Sequence, residues 1–106
     1  MKDKQIAVTI LQQIGGKALY MIGARKKKMA VIKNGVVFKI GRNSKRINKV
    51  KITLNSMDTY DIEYWYSAFS MKTLEDKSKL ISSDKGIYCD GLKQSIEGNT
   101  GMYTNL

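Results

Sequence analysis

The chain has no histidine and no proline, and only one cysteine and one tryptophan among its 106 residues. Without histidine, the commonest general base and the commonest metal ligand near neutral pH are both missing. Serine–histidine and cysteine–histidine catalysis and histidine-based zinc sites are therefore excluded. Cys89 has no second cysteine to pair with, which fits a reducing cytoplasm. With no activating neighbour in sequence, it is expected to act as a small packed side chain. A chain with no proline and 42% hydrophobic residues is not a disordered linker. No apolar run approaches the roughly 20 residues a bilayer-crossing helix needs, so no membrane association is expected. The opening Met1-Lys2-Asp3-Lys4-Gln5 is too charged for a secretory signal. The length suits one domain with a single core.

Acidic residues are also scarce, 9 against 19 Lys and Arg, for a net charge of +10. They are unevenly placed. Residues 1–54 hold 14 Lys and Arg against the single acid Asp3, and residues 55–106 hold 5 against 8. Charge kept only for solubility would be spread more evenly. The asymmetry points to a one-sided positive surface that attracts polyanions or an acidic protein.

The positive residues concentrate around one predicted hairpin. Asn34-Gly35 lies between the apolar runs Met29–Lys33 and Val36–Ile40, and Asn-Gly is the strongest local signal for a type I′ turn. Such a turn pairs Lys33 with Val36, Val31 with Phe38 and Met29 with Ile40. Extended outward, it sets Lys28 opposite Gly41 and Lys27 opposite Arg42. Arg25, Lys26, Lys27, Lys28, Arg42, Lys45 and Arg46 then form one cationic patch at the open end of the hairpin, with no carboxylate among them.

Ile6, Ala7, Ile10, Leu11 and Ile14 recur at helical spacing, so residues 3–14 read as a helix with Asp3 as N-cap and Gly15-Gly16 as its stop. Ala18–Gly23 is apolar and short, and reads as a buried strand. Lys49–Leu54 alternates with Val50, Ile52 and Leu54 inward. Thr59–Phe69 alternates with Tyr60, Ile62, Tyr64 and Tyr66 inward and Asp61, Glu63 and Trp65 outward. Opposed residues share a face, so the loop between these strands has an odd number of residues. Three residues oppose Lys51 with Asp61 and Lys49 with Glu63; five oppose Lys51 with Glu63 and Lys49 with Trp65. Either register offsets lysines with acids, so the outer sheet face should be close to neutral and the basic surface should lie on the loops. Residues 70–82 read as a loop with an irregular edge strand. Ser83 or Asp84 can cap a second helix through Gly98, with Ile87, Tyr88, Leu92 and Ile96 facing the sheet. The outline is α+β: a helix, an antiparallel sheet of four or five strands, and a C-terminal helix packed on one face.

Asp58, Asp61 and Glu63 are the only carboxylate cluster with metal-ligand character. A metal-dependent phosphodiesterase also wants a lysine two residues past the acid, where Trp65 stands. Cross-strand pairing with lysines accounts for the same acids, and no metal or other cofactor is expected. Tyr60, Tyr64, Tyr66 and Phe69 fit a core better than a stacking platform. Trp65, on the charged face, can stack on Lys49 or on a base.

Several stretches resemble a group of small bacteriophage and mobile-element proteins of unassigned activity. They are Gly15-Gly16, Met21–Arg25, Phe38–Asn43, Ile47–Asn55, Met57-Asp58 with Tyr60-Asp61 and Glu63, and Thr100–Leu106. The resemblance implies a phage or mobile-element setting in a bacterial cytoplasm, and no particular chemistry. Together with the charge geometry it leads to a non-enzymatic accessory protein that binds nucleic acid, DNA or RNA. The expected contacts are Arg25, Lys26, Lys27, Lys28, Arg42, Lys45, Arg46, Lys49 and Trp65. The alternatives are an inhibitor that binds an acidic site on a host defence enzyme, and a virion component packed against the genome.

Overall fold

The computed structural model describes residues 2–24, 29–41, 43, 45–70 and 75–102. They form helices α1 (Lys2–Ile14) and α2 (Gly16–Met21), strands β1 (Met29–Ile32), β2 (Gly35–Lys39), β3 (Lys49–Leu54), β4 (Tyr60–Ser70) and β5 (Glu75–Ile87), a 3-10 turn at Cys89–Gly91, and helix α3 (Leu92–Thr100). The five strands make one antiparallel sheet in the order β1-β2-β3-β4-β5. The α+β outline expected from the sequence is the fold observed.

All three helices contribute to one core on one face of the sheet. Ala7, Ile10 and Ile14 of α1, Ala18 of α2, and Leu92 and Ile96 of α3 close over Val36, Phe38, Val50, Ile52, Ile62 and Tyr64. No described helix packs on the other face. Alternation along the strands puts Ala30, Val37, Lys39, Lys49, Lys51, Thr53, Asp61, Glu63 and Trp65 there.

Several local expectations are corrected. Residues 16–21 are helical rather than a strand. Ala18 and Ile22 are buried four residues apart while Tyr20 between them is exposed, the period of a helix and not of a pleat. Asp3 is not the cap, because α1 starts at Lys2; its carboxylate instead accepts the Asn34 N–H at 2.9 Å and ties the helix to the hairpin turn.

The hairpin forms, but two residues out of the expected register: Ile32 opposes Gly35, Val31 opposes Val36 and Met29 opposes Phe38. The turn is Lys33-Asn34, and only Asn34 has positive φ (60°), which excludes type I′. Gly35 is a strand residue whose glycine identity has a different cause. A Cβ there would overlap the backbone carbonyl oxygen of Ile52 and lie 2.9 Å from Thr53 Cα.

The β3–β4 connection is the five-residue alternative, with Lys49 opposite Trp65 and Lys51 opposite Glu63. Asn55 shapes it, its Oδ1 accepting the N–H groups of Met57 (2.8 Å) and Thr59 (3.3 Å).

At the C-terminal end, β5 runs to Ile87 and α3 begins only at Leu92, so Ser83 and Asp84 lie on a strand and cap nothing. Gly91 precedes α3 instead of interrupting it, and Gly101 (φ 72°) closes it, donating its N–H to Glu97 O at 3.0 Å. Leu92 and Ile96 are buried as expected, but Tyr88 is exposed. Cys89 is exposed in the 3-10 turn and does not pack. Tyr60 and Tyr64 are core residues, whereas Tyr66 is exposed, because β4 continues there past the Lys49–Trp65 row where β3 ends. The side chain of Phe69 and the tail from Tyr103 lie outside the described residues.

Candidate nucleic-acid interface

The segment from Lys39 to Lys49 joins β2 to β3 and contains no Asp or Glu. It is a built loop. The side chain of Asn43 crosses it, donating from Nδ2 to Gly41 O (3.1 Å) and Ile47 O (2.5 Å) and accepting at Oδ1 from Lys45 N–H (3.2 Å) and Ile47 N–H (3.1 Å). Ile47 is buried and anchors the loop to the core, while Lys45 and Arg46 are exposed. Arg46 adopts φ 61°, an uncommon conformation for a non-glycine residue that the surrounding contacts must hold. Asn48 completes the frame: its Nδ2 donates to Ser67 O (2.7 Å), its Oδ1 accepts the Ser67 N–H (2.8 Å), and its own N–H bonds Trp65 O (3.0 Å).

At the base of this loop Lys39 and Lys49 are directly opposed, and Lys49 is in turn opposed to Trp65, which is opposed to Leu80. One row across four strands thus reads Lys39, Lys49, Trp65, Leu80. Like charges directly opposite on a sheet destabilise it by roughly 0.2–1 kcal/mol. Among the described residues no carboxylate lies within ion-pair distance of either lysine. The outer face is therefore less neutral than the sequence suggested. Among the described residues Lys51 alone meets an acid there, its Nζ 3.9 Å from Glu63 Oε1, and that pair is solvent-exposed and worth little. Lys39 was missed because the length of the 40–48 loop gives no register. Its signal is shared parity with Lys49 once β2 and β3 pair in this way.

Of the expected contacts, Lys45, Arg46 and Lys49 are brought into this one connection and Trp65 beside it. Arg25, Lys26, Lys27, Lys28 and Arg42 lie outside the described residues, and so do the expected pairings of Lys27 and Lys28 across the hairpin. The described flanks of the two basic segments do touch. Gly41, which precedes Arg42, donates its N–H to Ile22 O at 2.8 Å, and a Cβ on Gly23 would come within 2.9 Å of Gly41 N. The chain enters both basic segments from neighbouring points of the backbone.

Two carboxylates of the Asp58–Asp61–Glu63 cluster have structural partners. Asp61 Oδ1 accepts from Asn55 Nδ2 (3.1 Å) and from Gly86 N–H (3.2 Å), and Glu63 Oε1 accepts the Trp65 indole N–H (3.1 Å). Among the described residues no three Asp, Glu or Cys side chains converge as a metal site would require. A separate concavity of about 440 Å³ between β5 and α3 is lined by Asp84, Ser95 and Asn99 among others. Its polar groups bond to one another. Ser95 Oγ donates to Asp84 Oδ2 (2.5 Å), Asn99 Nδ2 donates to the same oxygen (2.7 Å), and Tyr64 Oη lies 2.7 Å from Ser95 Oγ. Burial pushes the Tyr64 phenol well above the ordinary tyrosine value, and its bond with Ser95 offsets part of that rise. This network fastens α3 to the sheet.

No described helix is long and apolar enough to cross a membrane. Comparison with family models, with curated proteins and with solved structures finds no match to this chain.

Proposed function

We propose that this chain is a non-enzymatic nucleic-acid-binding protein that grips phosphates with the cations between Lys39 and Lys49. The setting is that implied by its resemblance, an accessory protein of a phage or mobile element in a bacterial cytoplasm. One observation carries the reading: an acid-free connection, stapled by Asn43, that displays Lys45 and Arg46 between two mutually opposed lysines with no carboxylate partner among the described residues. Holding like charges together costs stability unless an anion offsets it. The contact between Gly41 and Ile22 supports extending the site toward Arg25–Lys28 and Arg42. The charge balance of the first 54 residues has the same sense.

Binding of this kind is governed by counterion release, so salt is the test. Fluorescence anisotropy with labelled oligonucleotides, titrated over salt, should give a log–log slope approaching about −8 on duplex DNA if the seven expected loop cations together with Lys39 and Lys49 engage phosphates. Replacing Lys39, Lys45, Arg46 and Lys49 together with glutamine should flatten the slope by about 3.6 on a duplex or about 2.8 on a single strand. An unchanged affinity and slope in that variant refutes the assignment. An acidic protein occupying the same cations would show instead as a partner that survives nuclease treatment of a host lysate.

A further inference from the structure

We infer that the nucleic acid taken by this site is single-stranded, with an unpaired base seated against Trp65 on the outer face of the sheet, which no described helix covers. The inference rests on the phosphate-binding reading above and adds the substrate class. Beside the Lys39–Lys49 pair the outer face carries a concavity of about 310 Å³, lined by Ile32, Val37, Trp65, Ser78, Lys49 and Lys51. Ile32, Val37 and Trp65 supply apolar wall, and Lys49 and Lys51 add ammonium groups. The ligand described by such a lining is a flat apolar ring with negative charge alongside, which is the form of a nucleobase on its phosphodiester backbone.

The same lining selects against a duplex. In a double helix both faces of each base are covered by neighbouring bases and its edge is paired, so a wall that offers apolar contact gains nothing from it. Only an unpaired base can use the indole. Trp65 is also prepared for that contact. Its N–H is held by Glu63 at 3.1 Å and its backbone carbonyl by Asn48 N–H at 3.0 Å, so little side-chain freedom is left to lose on stacking. The nearby acids do not oppose the strand equally. Asp61 is engaged by Asn55 and Gly86, and Glu63 by Trp65, whereas Lys39 and Lys49 have no carboxylate within ion-pair distance among the described residues.

Trp65 is the only tryptophan in the chain, so fluorescence excited at the red edge, where the six tyrosines do not absorb, reports this pocket alone. The protein is titrated with oligothymidylate, with a single strand of equal length made only of abasic sites, and with a duplex hairpin. Oligothymidylate should quench Trp65 and bind about 5- to 150-fold tighter than the abasic strand, the worth of stacking one base. Trp65→Leu should lose most of that advantage, and Trp65→Phe should retain part of it. Equal affinity for the abasic and base-bearing strands, or equal quenching by the duplex, overturns the single-strand inference and leaves phosphate binding intact. Absence of binding to all three overturns both. The comparison of strands uses the wild-type protein, so it does not depend on any variant folding.

Discussion

Gly35→Ala tests the physical account of the hairpin most directly. If the Asn34-Gly35 pair were a type I′ turn, glycine would be needed for its positive φ, and asparagine, which tolerates that conformation, would replace it at small cost. Here Gly35 has no positive φ, and the obstacle is β3. An added Cβ would overlap Ile52 O, where an ordinary contact is about 3.4 Å or more. The strands would have to part by on the order of 1 Å at a point where neighbours lie about 4.8 Å apart. That carries the bond from Leu54 N–H to Asn34 O, now 2.8 Å, out of hydrogen-bonding range and loosens the buried Val36–Ile52 pair. Overpacking costs about 1–3 kcal/mol and one or two lost backbone bonds about 1 kcal/mol each. The sum, about 2–5 kcal/mol, is a large share of the roughly 5–15 kcal/mol that holds such a domain together. Urea unfolding should show a correspondingly lower midpoint, and at about 4–8 °C per kcal/mol the thermal midpoint should fall by on the order of 10–40 °C. Gly35→Asn should be at least as damaging. A cost below about 1 kcal/mol for alanine, or near-native stability for asparagine, would refute the steric explanation.

Asn43→Ala removes the staple of the 40–48 loop and should cost about 1–3 kcal/mol; it should also weaken oligonucleotide binding although no charge is lost, and anisotropy at fixed salt reads the difference. Tyr64→Phe tests the buried phenol through pH. Its folded pKa lies above the unfolded value of about 10, so its contribution is fully present below pH 10 and is lost as pH rises, at up to about 1.4 kcal/mol per unit. The stability gap between wild type and Tyr64→Phe should be flat to pH 9 and shrink between pH 10 and 11; a gap constant across that range contradicts it.

What the sequence made legible is what hydrophobic period controls. The α1 face, the alternation of β3 and of β4 as far as Trp65, and the placing of Trp65 opposite the buried Tyr60 and Tyr64 all follow from which residues leave water, and all are found in the structure; Tyr66, read as inward by the same alternation, is exposed because β3 has ended there. Elements whose pattern is weak were misread for identifiable reasons. β5 is exposed along residues 78–81 and owes its existence to the ladder it shares with β4, so it shows no alternation of its own. α2 is too short for its helical period to stand out against an apolar run. In the site, Lys45, Arg46 and Lys49 could be read from their acid-free surroundings. Lys39 could not, because only the observed β2–β3 register reveals that it opposes Lys49.

The outermost strands set how far the sheet can grow. β1 is only four residues long, and β5, although long, pairs with β4 through two breaks in register, between Tyr60 and Ile62 and between Tyr64 and Trp65. Such breaks bend and twist a strand, and the exposed Lys79 and Lys85 put positive charge along it. A bent, charged border is a poor template for a neighbouring chain's backbone. A molecule with one sheet face that no described helix covers, and with cations crowded beside it, is thereby protected from stacking edge to edge with its own copies.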